Sequence, residues 1–229
     1  MIYSIYCFDE AMRNVLRPYI EKVELYYRGQ IAYGFAISEC KKAPHDQHYN
    51  RENFYKRDFY DEIMQKFNHE KERQSDSLIV KSHERKYEGK MPLWVMVELM
   101  SFSSLSQLYG VMYINDKKRI ASAVGTGPAM LENNLHCISN LRNKCAHGAR
   151  LYNVEMNPPC QMNDSFKRSH RDLKFNSLFA YLIILKKRLP DDESKKNFYK
   201  DISNVMAAYS NCIDLSLVGF PTEWKEILS

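Results

Sequence analysis

Glycine and proline are scarce. The chain has 229 residues and only eight of each. Strands and hairpins need turn residues, so this shortage argues against a β-rich protein and for long helices with few connections. No apolar run reaches the length of a membrane span, because Glu, Ser or Gln interrupts each candidate. The N-terminal stretch Met1 to Phe8 lacks a positive segment and a small-residue cleavage site, so no secretory leader is expected. The six cysteines, Cys7, Cys40, Cys137, Cys145, Cys160 and Cys212, form no C-x-x-C pair. Without two close pairs there is no zinc pattern, and in a reducing compartment the simplest state is six free thiols. The expectation is a cytoplasmic, non-membrane protein without a metal site.

What is present fits a globular helical domain. Hydrophobic residues make up 45% and charged residues 27%, with a net charge of +5. That charge is compatible with a polyanion partner but does not demand one. Residues 8–38 read as one long helical region with Asp9 as its cap and Pro18 as a kink or a new first turn. Gly29 and Gly34 should loosen its far end. Residues 40–57 read as a polar loop and 58–73 as a charged amphipathic helix, while 75–88 carry no clear pattern. Pro92 opens a strong apolar helix over 93–113, in which Glu98 either faces solvent or is buried with a cationic partner. Residues 114–127 read as a turn. Its Gly125-Thr126-Gly127 has no preceding strand and no third glycine, so it is no nucleotide fingerprint.

Pro128 opens a helix to about His147, closed by Gly148 in a left-handed turn. A polar, basic loop covers 154–170. Helices follow over about 173–188 and from Asp191 to near Cys212, then a turn at Gly219-Phe220-Pro221 and a short terminal helix. No internal repeat, low-complexity run or linker interrupts the chain. The reading is an all-α single domain over 1–229, built as a helical bundle.

The chemistry gathers at the end of the 128–147 helix, in Arg142-Asn143-Lys144-Cys145-Ala146-His147. Arg grips phosphate with a two-pronged fork and His titrates near neutrality. Asn143 and His147 stand four residues apart on one face. The spacing alone is weak: with these Arg and His frequencies, chance supplies about 0.4 such pairs. Cations beside a helix C-cap explain it equally well. His136, about three turns upstream, could share the face of His147; the other five histidines have no partner pattern. Trp94 and Trp224 read as packing anchors.

Four blocks in order carry a family resemblance. They are Tyr6-Cys7-Phe8-Asp9 with Arg13, Glu21, Glu24 and Arg28; Pro92-Leu93-Trp94-Val95 with Glu98 and Ser101-Phe102; Arg142 to His147 followed by Arg150-Leu151-Tyr152-Asn153; and Gly219-Phe220-Pro221 with Trp224. Together they resemble the HEPN superfamily, and more narrowly the Abi-like proteins of bacteriophage abortive infection (AbiD/AbiF type). Members carry a further N-terminal region, and this chain begins almost at the first block. The resemblance implies an HEPN-like bundle with additional helices. It also implies a metal-independent, cofactor-free RNA endonuclease that acts as a homodimer. Arg142, Asn143 and His147 would be catalytic, and Lys144, Arg150, Lys167, Arg168 and Arg171 would contact RNA phosphates. A toxic nuclease needs restraint, which implies an antitoxin or other regulatory partner. The alternative is a catalytically silent HEPN-type module that binds RNA or protein, or dimerises.

Overall fold

A computed structural model describes residues 2–42 and 45–229; Met1, and Ala43 and Pro44 of the expected 40–57 loop, lie outside the described residues. The protein is all-α. In chain order the helices are α1 Ile2–Glu39, α2 Arg57–Arg73, α3 Leu78–Tyr87, α4 Leu93–Leu99, α5 Phe102–Val111 and α6 Ile114–Ala123. They continue with α7 Pro128–Ala146, α8 Asp164–Ser169, α9 Leu178–Arg188, α10 Asp192–Ala208 and α11 Trp224–Leu228. Among the described residues no strand forms, only an isolated antiparallel bridge between Phe54 and Met112.

The chain divides into two compact units. One is Met1–Glu24 with Asn133–Ser229; the other is Leu25–Glu132. The first unit holds the early part of α1, whose Phe8, Met12, Leu16, Ile20 and Val23 are buried, and most of α7, whose Leu135, Ile138, Leu141 and Cys145 are buried. α9 is apolar all round and buried from Leu178 to Leu185, as expected of a helix at the centre of a bundle. Trp224 is buried against Phe220, which in turn meets Phe179, so this tryptophan is the anchor the sequence suggested.

α1 runs unbroken through Pro18. The proline is exposed while Leu16, Tyr19 and Ile20 are buried, so the lost hydrogen bond faces water and the packed flank holds the helix together. Asp9 is not a cap. The helix begins seven residues earlier, at Ile2, and Asp9 lies within it.

In the Leu25–Glu132 unit the expected 93–113 helix is two. The Arg28 guanidinium donates to the carbonyls of Val97 and Met100. Val97 O would otherwise accept from Ser101 N in a continuing helix. Met100 and Ser101 are extended instead, and the Ser101 hydroxyl caps α5 by accepting from Ser104 N at 3.1 Å. Glu98 is exposed, which places it on the solvent side. Trp94 is no anchor, being 49% exposed. The expected turn at 114–127 is largely helix, because Asn115-Asp116 occupy a first helical turn, where an acid is favoured. Asp116 is buried, hydrogen-bonded to Ser38 and 3.8 Å from Arg119.

Gly34 stays in α1 because Ile120 of α6 occupies the space a Cβ would need, whereas nothing lies within 4 Å of a Cβ at Gly29. The two should respond in opposite directions. Gly29→Ala should add about 0.5–1 kcal/mol from helix propensity. Gly34→Ala should lose about 1–3 kcal/mol by overpacking despite the same propensity gain. Urea unfolding of the two variants measures this, and equal signs would contradict the packing.

His48 is 1% exposed, and neither ring nitrogen has a hydrogen-bond partner. Burial pushes its imidazole down to about 4; the nearby Met91 backbone offsets a part of this without forming a bond of good geometry. The unfolded chain therefore takes up a proton first as pH falls. Stability attributable to His48 is complete above about pH 6.5 and is lost as pH falls towards 4, on the order of 2 kcal/mol of it by pH 5. His48→Phe should flatten this part of the curve in thermal melts between pH 7 and 5. A wild-type curve no steeper than that of the variant would refute the assignment.

Candidate functional site

The end of α7 is closed by a left-handed glycine. His147 N still donates to Asn143 O at 3.0 Å, Gly148 takes φ +66, and Ala149 N reaches back to Lys144 O at 2.9 Å. That six-to-one bond is the Schellman signature, with His147 as the last half-helical residue. A helix end leaves several carbonyls without intrahelical donors. Here α1 supplies them. Arg17 Nε and Nη2 both donate to Cys145 O, at 3.3 and 2.9 Å, and Arg13 Nη1 donates to Ala149 O at 3.0 Å. Asp9 Oδ1 accepts from Leu151 N at 3.1 Å and Tyr152 N at 2.8 Å. Asp9, Arg13 and Arg17 recur every fourth residue, so one stripe of α1 holds the whole turn from 145 to 152. Asp9 and Arg13 are 5% and 7% exposed, buried polar groups with their partners present.

Of the three expected catalytic residues, His147 lies on this clamped turn, and Arg142 and Asn143 lie in the last turn of α7 just before it. His147 is exposed and Asn143 half-buried. Arg142 is 40% exposed; its Nε stands 3.8 Å from Glu24 Oε2, and its Nη1 reaches Asn143 Oδ1 at 3.5 Å, the limit of a hydrogen bond. Glu24, on α1, is 13% exposed and steadies the arginine without enclosing it. The turn therefore offers an accessible imidazole and a partly free guanidinium on a rigid support. Cys145 is a poor nucleophile. Burial raises its thiol to about 11, against a smaller downward pull from Arg17 and Arg13, so it stays protonated at neutral pH.

The expected RNA-contacting residues fall into two groups. Lys144 is half-buried on the same turn and Arg150 is exposed just beyond it. Lys167, Arg168 and Arg171 are exposed on and after α8, a six-residue helix inside the stretch expected to be loop. Lys167 stands 4.0 Å from Asp164; no hydrogen bond or ion pair among the described residues joins this second group to the 142–150 turn. His136 is exposed on α7.

Sequence reasoning missed two things. Arg17 was not singled out, although its spacing from Asp9 and Arg13 was visible. The asparagines of α7 also act together: Asn133 bonds Pro159 O and Gln161 N, Asn134 bonds Gln161 O, and Asn140 bonds Asn157 O. With the Cys137 thiol donating to Pro158 O, they tie the 157–161 loop along one face of α7. All six cysteines are free thiols, and this loop brings Cys160 beside Cys137, a pairing not visible in the spacing. Among the described residues no group of His, Cys, Asp or Glu has a metal-holding arrangement, and no helix is long and apolar enough to cross a membrane.

The clamp gives a direct test. Asp9→Ala leaves two buried amides without an acceptor and should cost about 2–3 kcal/mol. Glu10→Ala, exposed and one residue along, should stay within about 0.5 kcal/mol. Urea midpoints measure both, and equal losses would mean that the clamp does not support the turn.

A family model described as Abi-like protein matches residues 1–153, two thirds of the chain, from the start of α1 past the clamped turn. No curated protein and no solved structure matches the chain.

Proposed function

Because the chain belongs to the Abi-like protein family, we propose that it acts in abortive infection as a metal-independent RNA endonuclease of the HEPN type, in the AbiD/AbiF group. One observation carries the reading: Arg142 and His147 stand accessible at the end of α7 on a turn held in place from α1, and the family match spans both helices.

The chemistry is simple in principle. A ribose 2′-hydroxyl is already beside its own phosphodiester, so the protein needs to move protons and stabilise charge. His147 takes the proton from the 2′-oxygen as that oxygen attacks phosphorus. Arg142 stabilises the charge that grows on the equatorial oxygens, and Asn143 orients the arginine or the phosphate. The 5′-oxygen leaves with a proton, giving a 2′,3′-cyclic phosphate and a 5′-hydroxyl. In-line attack puts the base and the acid on opposite sides of phosphorus. A single His147 cannot stand on both sides, so the reading requires a homodimer in which a second chain brings its own turn. Lys144 and Arg150 flank the reacting phosphate, and Lys167, Arg168 and Arg171 hold more distant ones, which makes binding salt-dependent. The work is placed in the cytoplasm, under an antitoxin or other regulatory partner.

Cleavage of RNA by the purified protein in EDTA tests this. His147→Ala should lower the rate by about 10²–10⁴-fold with an unchanged melting temperature, since the side chain is exposed. Arg142→Ala should lower it about 10²–10³-fold. Cleavage at the wild-type rate by folded His147→Ala would refute the mechanism. RNA binding without cleavage by the wild type would select the silent module instead.

A further inference from the structure

α9 ends in three consecutive cations, Lys186, Lys187 and Arg188. Cations at a helix C-terminus complement the dipole, and that accounts for their sign. It does not account for where they lie. Lys186 has partners: its ammonium donates to Leu228 O and lies 5.7 Å from the centre of the Tyr199 ring. Arg188 has none. It is 8% exposed, and its Nε and Nη1 are buried without a hydrogen-bond partner. Among the described residues no carboxylate lies within ion-pair distance of it. The nearest acids in sequence are already engaged: Asp191 accepts from Ser194 N and Ser194 Oγ, and Asp192 pairs with Lys195. A buried guanidinium is expected to be paired, because desolvation costs several kcal/mol per ion unless a counter-charge repays it.

The neighbours add positive charge. Lys187 Nζ lies 4.3 Å from the centre of the Phe166 ring, and the His170 ring stacks on the other partner of that pair, centroid to centroid 4.3 Å from Phe166. Desolvation, and secondarily the charge of Arg188, pull the Lys187 ammonium below the ordinary lysine range. Among the described residues neither cation has a carboxylate, and Lys167, Arg168 and Arg171 are exposed in the segment that carries Phe166 and His170. Two adjacent cations that repel each other, one of them buried and unsatisfied, lack an anion.

We propose that Arg188 and Lys187 form a phosphate-binding site: the guanidinium, whose Nε and Nη1 are covered as they lie, turns its fork onto two phosphate oxygens, with the Lys187 ammonium on a third. Phosphate suits it better than a carboxylate, because a third oxygen is available for the ammonium. The site lies beyond residue 153, on a different helix from the Arg142–His147 turn, and its readout is binding, so it stands or falls independently of the endonuclease reading.

Thermal unfolding of the full chain at constant ionic strength tests it. Inorganic phosphate exchanged for chloride should raise the melting temperature with saturation, by about 3–5 °C at ten times the dissociation constant. Arg188→Met removes a buried unpaired charge, so it should melt higher than wild type in chloride and lose the phosphate increment. Lys187→Gln, an exposed substitution that leaves the fold intact, should weaken phosphate binding several-fold. It keeps the test valid if Arg188→Met does not fold. Parallel titrations with a nucleoside monophosphate and a short oligoribonucleotide identify the source of the group. Tighter binding of either assigns the site to nucleotide or RNA phosphates, and binding of inorganic phosphate alone assigns it to the free anion. A wild-type melting temperature indifferent to all three, or an increment equal in wild type and both variants, would overturn the proposal.

Discussion

The stripe Asp9, Arg13 and Arg17 on α1 is the constraint on which the candidate site depends. A helix end is a poor place to fix a side chain, because its last carbonyls lack donors and its last turn frays. At the end of α7 two guanidinium groups from a second helix donate to the carbonyls of Cys145 and Ala149, and one carboxylate accepts from the amides of Leu151 and Tyr152. The partners are charged on one side, so the bonds are stronger than neutral ones, and two of the three side chains are shielded from water. Position and direction of the 142–152 segment follow from the register of α1.

This arrangement separates support from chemistry. Groups that support the turn are buried and hydrogen-bonded to it, as with Asp9 and Arg13, or are unreactive, as with the Cys145 thiol. Groups able to act, His147 and much of Arg142, are accessible and carry few bonds. Glu24 sits between these roles, close enough to Arg142 to bias its direction at 3.8 Å, too far to bind it closely. Arg188 falls in neither class. It is buried like a supporting group and unpartnered like a functional one, which is why it stands out among the cations of the chain.

Much of the helical layout was legible. The low glycine and proline content, the apolar stripe of α7, and Gly148 as its stop all correspond to the structure. Where the reading failed, a side chain from another helix decided the outcome. Residues 93–113 have one continuous apolar pattern, and Arg28 reaching the carbonyls of Val97 and Met100, with Ser101 capping α5, marks the break between its two helices. Asp9 looks like a cap because capping is a local property, while the amides that donate to it lie more than 140 residues away. Asn115-Asp116 look like a turn because propensity does not see that Asp116 is buried with Ser38.

The sequence by itself determined that the chain is helical, where α7 begins and ends, and that Arg142, Asn143 and His147 share its last turns. These are consequences of composition, of the 3.6-residue period and of one glycine's freedom at positive φ, all local properties. Only the tertiary structure decided what holds that turn, that Cys145 beside it is inert, that Trp94 faces outward while Trp224 does not, and that Arg188 is buried without a counter-charge. Burial and partnership are relations between distant segments, and no local pattern in the chain encodes them.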